Sequence, residues 1–206
     1  FLNVIGRPDP YQRQLNGMGG GISSLSKAVI IEPSKRDDAD IDFTFAQVAV
    51  DRPEVVYTNT CGNLSSAVGP FAVDEGLVEP VDGEVLVRVF NTNTSKIYHA
   101  RFNAEDGQAV ETGSFEIPGV AGTGAKIKLD FLDPGGAITG NLLPSGATVD
   151  ELTVPGLGRV EASFIDATNA IIFIDAKVVG RDATEQPDAL EADKAFMAKL
   201  DEIRRL

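Results

Sequence analysis

The sequence predicts an α+β fold in which strands dominate, with one helix near the middle of the chain and one at its end. Three observations predict it. Glycine is frequent, at 21 of 206 residues, and is accompanied by many Val, Ile and Thr, the composition of strands joined by turns. Residues 40–51, DIDFTFAQVAVD, alternate apolar and polar positions with the period of a half-buried strand. Residues 63–78, NLSSAVGPFAVDEGLV, instead place apolar residues at 64, 67, 68, 71 and 72, a helical period with Gly76 as its stop.

Taken in order, residues 1–26 read as a loop rich in Gly, Pro and Ser, whose backbone can approach a ligand closely because Gly carries no Cβ. KAVIIEPS (27–34) is a short apolar strand stopped by Pro33, and the strand at 40–51 follows. After the helix that begins beyond Cys61, residues 84–102 read as two strands around an Asn/Thr turn, and QAVETGSFEI and AKIKLDFLD add more. Two further strands fall near 158–165 and 170–176. Residues 188–206 form an amphipathic helix, with Leu190, Phe196, Met197, Leu200 and Ile203 on or near one face and Arg204 and Arg205 complementing its C-terminal dipole. The total is about eight strands and two helices.

Composition excludes several functions. The net charge of −13 leaves no surplus of Lys and Arg to neutralise phosphates, which argues against nucleic acid as a partner. No apolar run approaches the roughly 20 residues needed to span a bilayer, so no membrane role is expected. A single Cys without a disulfide framework fits a reducing, cytoplasmic setting. His99, the only histidine, has no partner residues with metal-ligand spacing, so no metal site is expected and it reads as structural or surface. Asp37, Asp38, Asp40 and Asp42 read as a solvated acidic loop.

Two stretches carry chemistry. In TCGN, Cys61 stands at the mouth of the predicted helix, where unpaired backbone N–H groups and the dipole favour a thiolate. The amides of Gly62 and Asn63 would face any carboxylate or enolate lying there. A buried cysteine packing as a small hydrophobe is the competing reading. In GMGGGISSLSKAVI, Gly20, Ser23, Ser24 and Ser26 lead to Lys27 at the edge of an apolar strand. Such a loop offers amide and hydroxyl donors to an anion, and a lysine partly removed from water can act as acid or base. A solvated turn followed by an ordinary lysine is the alternative. Neither a phosphate-binding GxxxxGK[ST] loop nor a G-x-S-x-G elbow is present.

In combination and order, these stretches make the chain resemble the PrpF-type isomerases. GRPDPYQRQLNGMGGGISSLSKAVIIEPS, DADIDFTFAQVAVD and NTCGNLSSAVGPFAVDEGLV carry the likeness in the first half. NTNTSKIYHARF, LDFLDPGGAITGNLLPSG and VEASFIDATNAIIFIDA carry it in the second. The family includes isomerases of 2-methylaconitate, methylitaconate and aconitate and a tautomerase of 4-oxalomesaconate. The resemblance implies a diaminopimelate-epimerase-like lobe, a β-barrel-like sheet wrapped round a central helix. It implies residues 1–157 as the N-terminal lobe carrying the Lys/Cys site and residues 158–206 as the start of a second lobe, the remainder expected beyond Leu206. The isolated segment would then lack the far wall of its cleft, an exposed surface that favours self-association as a homodimer. Ala147 and Ala170 stand where relatives usually carry Asn and often Pro, which bears on substrate identity.

The resemblance further implies Lys27 and Cys61 as the acid–base pair, in either assignment, with Gly62, Asn63, Gly20, Ser23, Ser24 and Ser26 holding the substrate and no cofactor. The implied reaction is an allylic proton shift, with cis–trans or double-bond migration, in a small unsaturated di- or tricarboxylate. A non-catalytic carboxylate-binding or accessory protein, and an amino-acid racemase or epimerase, are the alternatives on the same fold.

Overall fold

The computed structural model describes all residues from 1 to 206 except Gln12, Asn59 and Pro80. After one turn of helix, α1 (Leu2–Ile5), a glycine-rich loop runs to a 3-10 turn at Ser23–Leu25 and delivers the chain into the first sheet. β1 (Lys27–Pro33) and β2 (Ile41–Val48) pair antiparallel, Lys27 opposite Gln47 and Pro33 opposite Ile41, and β3 (Val55–Val56) adds to the end of β2. The chain then turns into helix α2 (Gly62–Asp74) and returns as β4 (Gly83–Asn91), β5 (Lys96–Glu105), β6 (Gln108–Ala109) and β7 (Lys128–Phe131). The strand order is β1-β2-β4-β5-β6, with β3 also on β2 and β7 also on β5. β2 and β4 pair in parallel with Ile41 opposite Val89, while β4 and β5 form a long antiparallel hairpin.

Period-two alternation gives this sheet one apolar face. Ile41, Phe43 and Phe45 of β2, Val85, Val87 and Val89 of β4, and Tyr98, Ala100, Phe102 and Ala104 of β5 are all buried. α2 fills the concavity, touching β1, β4, β5, β6 and β7, so the sheet wraps the helix as a half-barrel. The buried face of α2 is Ser65, Val68, Gly69, Ala72 and Val73, whereas Phe71 is exposed. The apolar stripe of the sequence is therefore turned by about one position, because the sheet demands small residues at the contact. A Cβ added at Gly69 would lie 2.8 Å from Phe102 Cε1 and 2.9 Å from Ala100 Cβ. The acidic stretch is also more structured than a solvated loop. Asp40 accepts from the backbone N–H of Arg88 at 2.7 Å and from its guanidinium Nη2 at 2.6 Å, which ties the start of β2 to β4.

Contacts divide the chain into two compact units, Phe1–Pro134 and Gly135–Leu206. The second unit begins earlier than the 157/158 joint of the sequence reading, because a strand absent from that reading, β8 (Asp150–Val154), pairs with β9 (Gly158–Ala167). β10 (Asn169–Ile174) completes a three-stranded sheet on the other side of β9. Val154 and Val160 pack with Ile203 of the terminal helical segment. That segment is two helices, α3 (Pro187–Ala192) and α4 (Lys194–Arg205), rather than one. Asp193 breaks it: its carboxylate accepts the N–H of Phe196 at 3.0 Å as an N-cap and pairs with Arg181. Among the described residues, no helix is long and apolar enough to cross a membrane.

Within the second unit, Asp166 is fully buried and organises the loop before β8. Its Oδ2 accepts the N–H of Ile138 at 2.8 Å, the N–H of Thr139 at 2.6 Å and the Thr139 hydroxyl at 2.9 Å. Burial alone would keep the proton on, but these donors outweigh it and hold the carboxyl below the usual aspartate range.

Two outcomes follow from this packing. Gly69→Ala gains about 1 kcal/mol of helix propensity but overpacks the helix–sheet contact at a cost of about 1–3 kcal/mol. Its melting temperature should fall, while Gly62→Ala, with open space around its Cβ, should melt within a degree or two of the parent (a shift of roughly that size being within the range for surface substitutions). Asp166 binds its proton less readily folded than unfolded, so its stabilising contribution is complete above the unfolded value near 4 and is lost as pH falls through the lower folded value. Chemical denaturation between about pH 5 and 2 should lose stability more steeply in the parent than in Asp166→Asn; equal slopes would refute the assignment.

Candidate active site

Cys61 is the N-cap of α2, with extended backbone at φ −131° and ψ 111°. Its carbonyl accepts both the N–H of Ser65, at 2.9 Å, and the Ser65 hydroxyl, at 2.8 Å. Its side chain is not a cap; it is turned toward β1. There Lys27, the first residue of the strand, reaches across so that its Nζ lies 3.2 Å from Cys61 Sγ. The cysteine is buried, only 8% exposed, and Lys27 is half-buried. The structure thus brings the two candidates of the sequence, Lys27 and Cys61, into one contact between residues 34 positions apart.

Gly62 and Asn63 form the exposed first turn of α2. The first N–H groups of a helix have no intrahelical acceptor, so this turn presents donors and the positive end of the dipole beside the thiol. Ser23 and Ser24 are exposed in the 3-10 turn, and Gly20 is exposed just before it. Ser26 differs: it is fully buried, and its hydroxyl points inward to Ile22 O at 2.8 Å and Gln14 Oε1 at 3.0 Å. His99 lies on β5 opposite Arg88 and Asp130, away from this contact in the pairing register. Among the described residues, no group of three His, Cys, Asp or Glu is placed to hold a metal ion.

The approach to Cys61 is held by residues that the sequence suggests only as a turn. Asn93 Oδ1 accepts the N–H of Phe45 at 2.7 Å, and its Nδ2 donates to Phe45 O at 2.9 Å and Tyr57 O at 2.7 Å. The buried Asn91 donates from Nδ2 to Thr60 Oγ1 at 2.6 Å and accepts the N–H of Asn93 at 2.9 Å. Side-chain amides thereby continue the pairing between β2 and the end of β4 and bind the segment preceding Cys61. The signal in the sequence is NTNT, two asparagines two apart at the end of a strand, so that one turn residue braces the next.

A curled sheet around one helix, with a thiol at that helix's N-terminus facing a strand-borne lysine, defines a protein of the diaminopimelate-epimerase-like fold. A hydroxyproline epimerase from Agrobacterium vitis shares that fold, at TM-score 0.54 and 14% identity over 100% of this chain and 51% of the epimerase. More specifically, the chain belongs to the PrpF protein family, which it matches along residues 1–206. It is 40% identical to a 2-methyl-aconitate isomerase of Cupriavidus necator over 98% of its own length and 53% of the relative's. It is 43% identical to the crystal structure of a methylitaconate-delta-isomerase, at TM-score 0.73, over 98% of this chain and 52% of that one. The chain spans about half the length of these relatives.

Asn93→Ala leaves the Phe45 N–H and the Tyr57 carbonyl without their partners, a cost of about 1–3 kcal/mol. Hydrogen exchange should speed up at Phe45 and in the segment before Cys61 and stay unchanged in β9 and β10; uniform change, or none, would show that Asn93 does not brace this segment.

Proposed function

We propose that the chain carries the acid–base pair of an isomerase that moves a double bond by an allylic 1,3-proton shift in a small unsaturated di- or tricarboxylate, of the 2-methylaconitate or methylitaconate type. The observation that carries this reading is the 3.2 Å contact between Lys27 Nζ and Cys61 Sγ at the N-terminus of α2. The relatives named for such reactions support the substrate class.

The chemistry needs one group to take a proton from carbon and one to give a proton back. The pair supplies both, as thiolate with ammonium or as thiol with amine. The base takes the proton from the allylic carbon, and the C–H electrons delocalise into the conjugated carboxylate as a dienolate. The acid then protonates the far carbon of the allyl unit, so the double bond moves and no atom is gained or lost. Rotation within the dienolate before protonation exchanges cis for trans. After one turnover the pair holds its protons the other way round, and transfer between Sγ and Nζ across their contact restores the starting state. The dienolate is the high-energy species, and the Gly62 and Asn63 amides with the Gly20–Ser24 loop are the donors placed to hold its carboxylates. This proton shuttle calls on no cofactor.

The test uses the complete gene product in D₂O with a panel of unsaturated tricarboxylates, followed by proton NMR. Deuterium should enter an allylic position with migration of the double bond, and Lys27→Ala and Cys61→Ser should each lose about 10²-fold or more in rate. A folded protein that exchanges none of these acids, or variants that exchange them as fast as the parent, would end this reading.

A further inference from the structure

We propose that Gln14 is the positioning residue for Lys27: its carboxamide ties the glycine loop to Ser26 and thereby fixes where β1 starts and where Lys27 aims. The inference rests on the acid–base reading only for its importance; the geometry stands by itself.

Gln14 is the unexpected residue of the first loop. It is polar, 1% exposed, and held in the left-handed region at φ 54°. Its backbone N–H donates to Asp9 Oδ2 at 2.6 Å, which anchors the residue. Its Oε1 accepts the N–H of Gly21 at 2.6 Å and the hydroxyl of Ser26 at 3.0 Å. Because the N–H of Gly21 can only donate, it fixes the carboxamide with oxygen toward the loop. The Nε2 on the other side is buried and has no hydrogen-bond partner among the described residues.

What the oxygen holds is the residue before Lys27. Ser26 is fixed at every polar atom. Its hydroxyl shares its one proton between Gln14 Oε1 and Ile22 O, and its N–H goes to Ser23 O at 3.3 Å. Its carbonyl accepts the N–H of Val48 at 2.9 Å and Gln47 Nε2 at 3.0 Å. Gln47 is also the cross-strand partner of Lys27 and donates from Nε2 to Ser23 O at 2.9 Å. Two glutamines therefore bracket the point at which the loop becomes a strand, one from the loop side and one from β2. A long, flexible lysine reaching a buried sulfur gains from this, because each degree of freedom removed at its Cα improves the placing of Nζ.

Space confirms the specificity of the arrangement. A Cβ at Gly19 would lie 2.3 Å from Gln14 Oε1, 2.5 Å from its Cδ and 2.7 Å from its Nε2, all within the carboxamide. Gly19 is outside the positive-φ glycines, and the three atoms nearest an added Cβ all belong to the Gln14 side chain. Gly19→Ala thus displaces the same group from the opposite side.

The test is the rate of Cys61 alkylation by iodoacetamide in the 206-residue chain, with melting temperature measured alongside; it needs no substrate and so does not depend on turnover. Alkylation places negative charge on sulfur as it reacts, and Lys27 Nζ is a hydrogen-bond donor 3.2 Å from that sulfur, so Lys27→Ala should slow alkylation by about tenfold. Gln14→Leu and Gly19→Ala should each move most of the way to that slower rate. Simple loosening of the loop would expose the thiol and speed alkylation, the opposite direction. A folded Gln14→Leu that reacts as fast as the parent or faster overturns the proposal. Should that variant not fold, Gly19→Ala decides by the same criterion. Equal rates in the parent and Lys27→Ala also overturn it, since there would be no ammonium–sulfur coupling for Gln14 to preserve.

Discussion

The closeness of α2 to its sheet is the constraint on which the remainder depends. Small residues at 65 and 69 let the helix settle onto Tyr98, Ala100 and Phe102, and Ser65 then becomes a junction. The Tyr98 hydroxyl donates to Ser65 O at 3.1 Å, while Ser65 itself bonds twice to the carbonyl of Cys61. Burial pushes the Tyr98 phenol well above its usual range, so it remains a neutral donor. The first turn of the helix is in this way referenced to the centre of the sheet. Lys27 belongs to a different element and is referenced to β2. A contact of 3.2 Å between the two survives only if both references are rigid, since proton transfer works within about 2.6–3.2 Å between heavy atoms and deteriorates beyond it.

Rigidity of this kind comes largely from side-chain amides. Asn91 and Asn93 brace the approach to Cys61, and Gln14 and Gln47 brace the approach to Lys27. They lie at the ends of strand pairing or just beyond, where the chain must still arrive at a defined place. Carboxamides suit that task because they both donate and accept and carry no charge that would disturb an acid–base pair. Charged contacts occur elsewhere on this sheet: Arg88 of β4 pairs with Asp40, just before β2, and Arg101 of β5 pairs with Asp130 of β7.

The fold was largely legible because its signals are local. Alternation at 40–51 and the apolar run from Lys27 report strands whose faces differ, and TCGN reports a helix start whatever surrounds it. The rotation of the α2 face was not legible, since Phe71 reads as core by hydrophobicity and is displaced only because the sheet leaves room for Gly69 and Ser65. The split of the terminal helix could have been read from Asp193 three residues ahead of Phe196, but a capping signal inside a periodic helix competes with the periodicity. β8 escaped because DELTV is short and mixed, and becomes a strand through pairing with β9. At the site, Lys27 and Cys61 stood out by residue type and neighbours. Their contact, and the roles of Gln14, Gln47, Asn91 and Asn93, are long-range facts that no local window contains.

The charge of the chain appears at first to oppose the proposed chemistry, because a net −13 should repel a tricarboxylate. Screening removes the difficulty. At physiological ionic strength the Debye length is about 8 Å, so charges scattered over the surface act on a ligand only when it is nearly in contact with them. What a tricarboxylate would meet at the proposed site is then local: one lysine, the N–H groups of the first turn of α2 and the exposed Gly/Ser loop, with no acidic residue between Lys27 and Glu32 or between Glu54 and Asp74 in the sequence that supplies that site. Such a surface attracts carboxylates weakly at range and strongly at contact. That balance fits an isomerase whose substrate and product carry the same charges, since each must leave as readily as the other arrives, and it places the differential stabilisation on the dienolate, the one species whose extra charge develops only beside those amides.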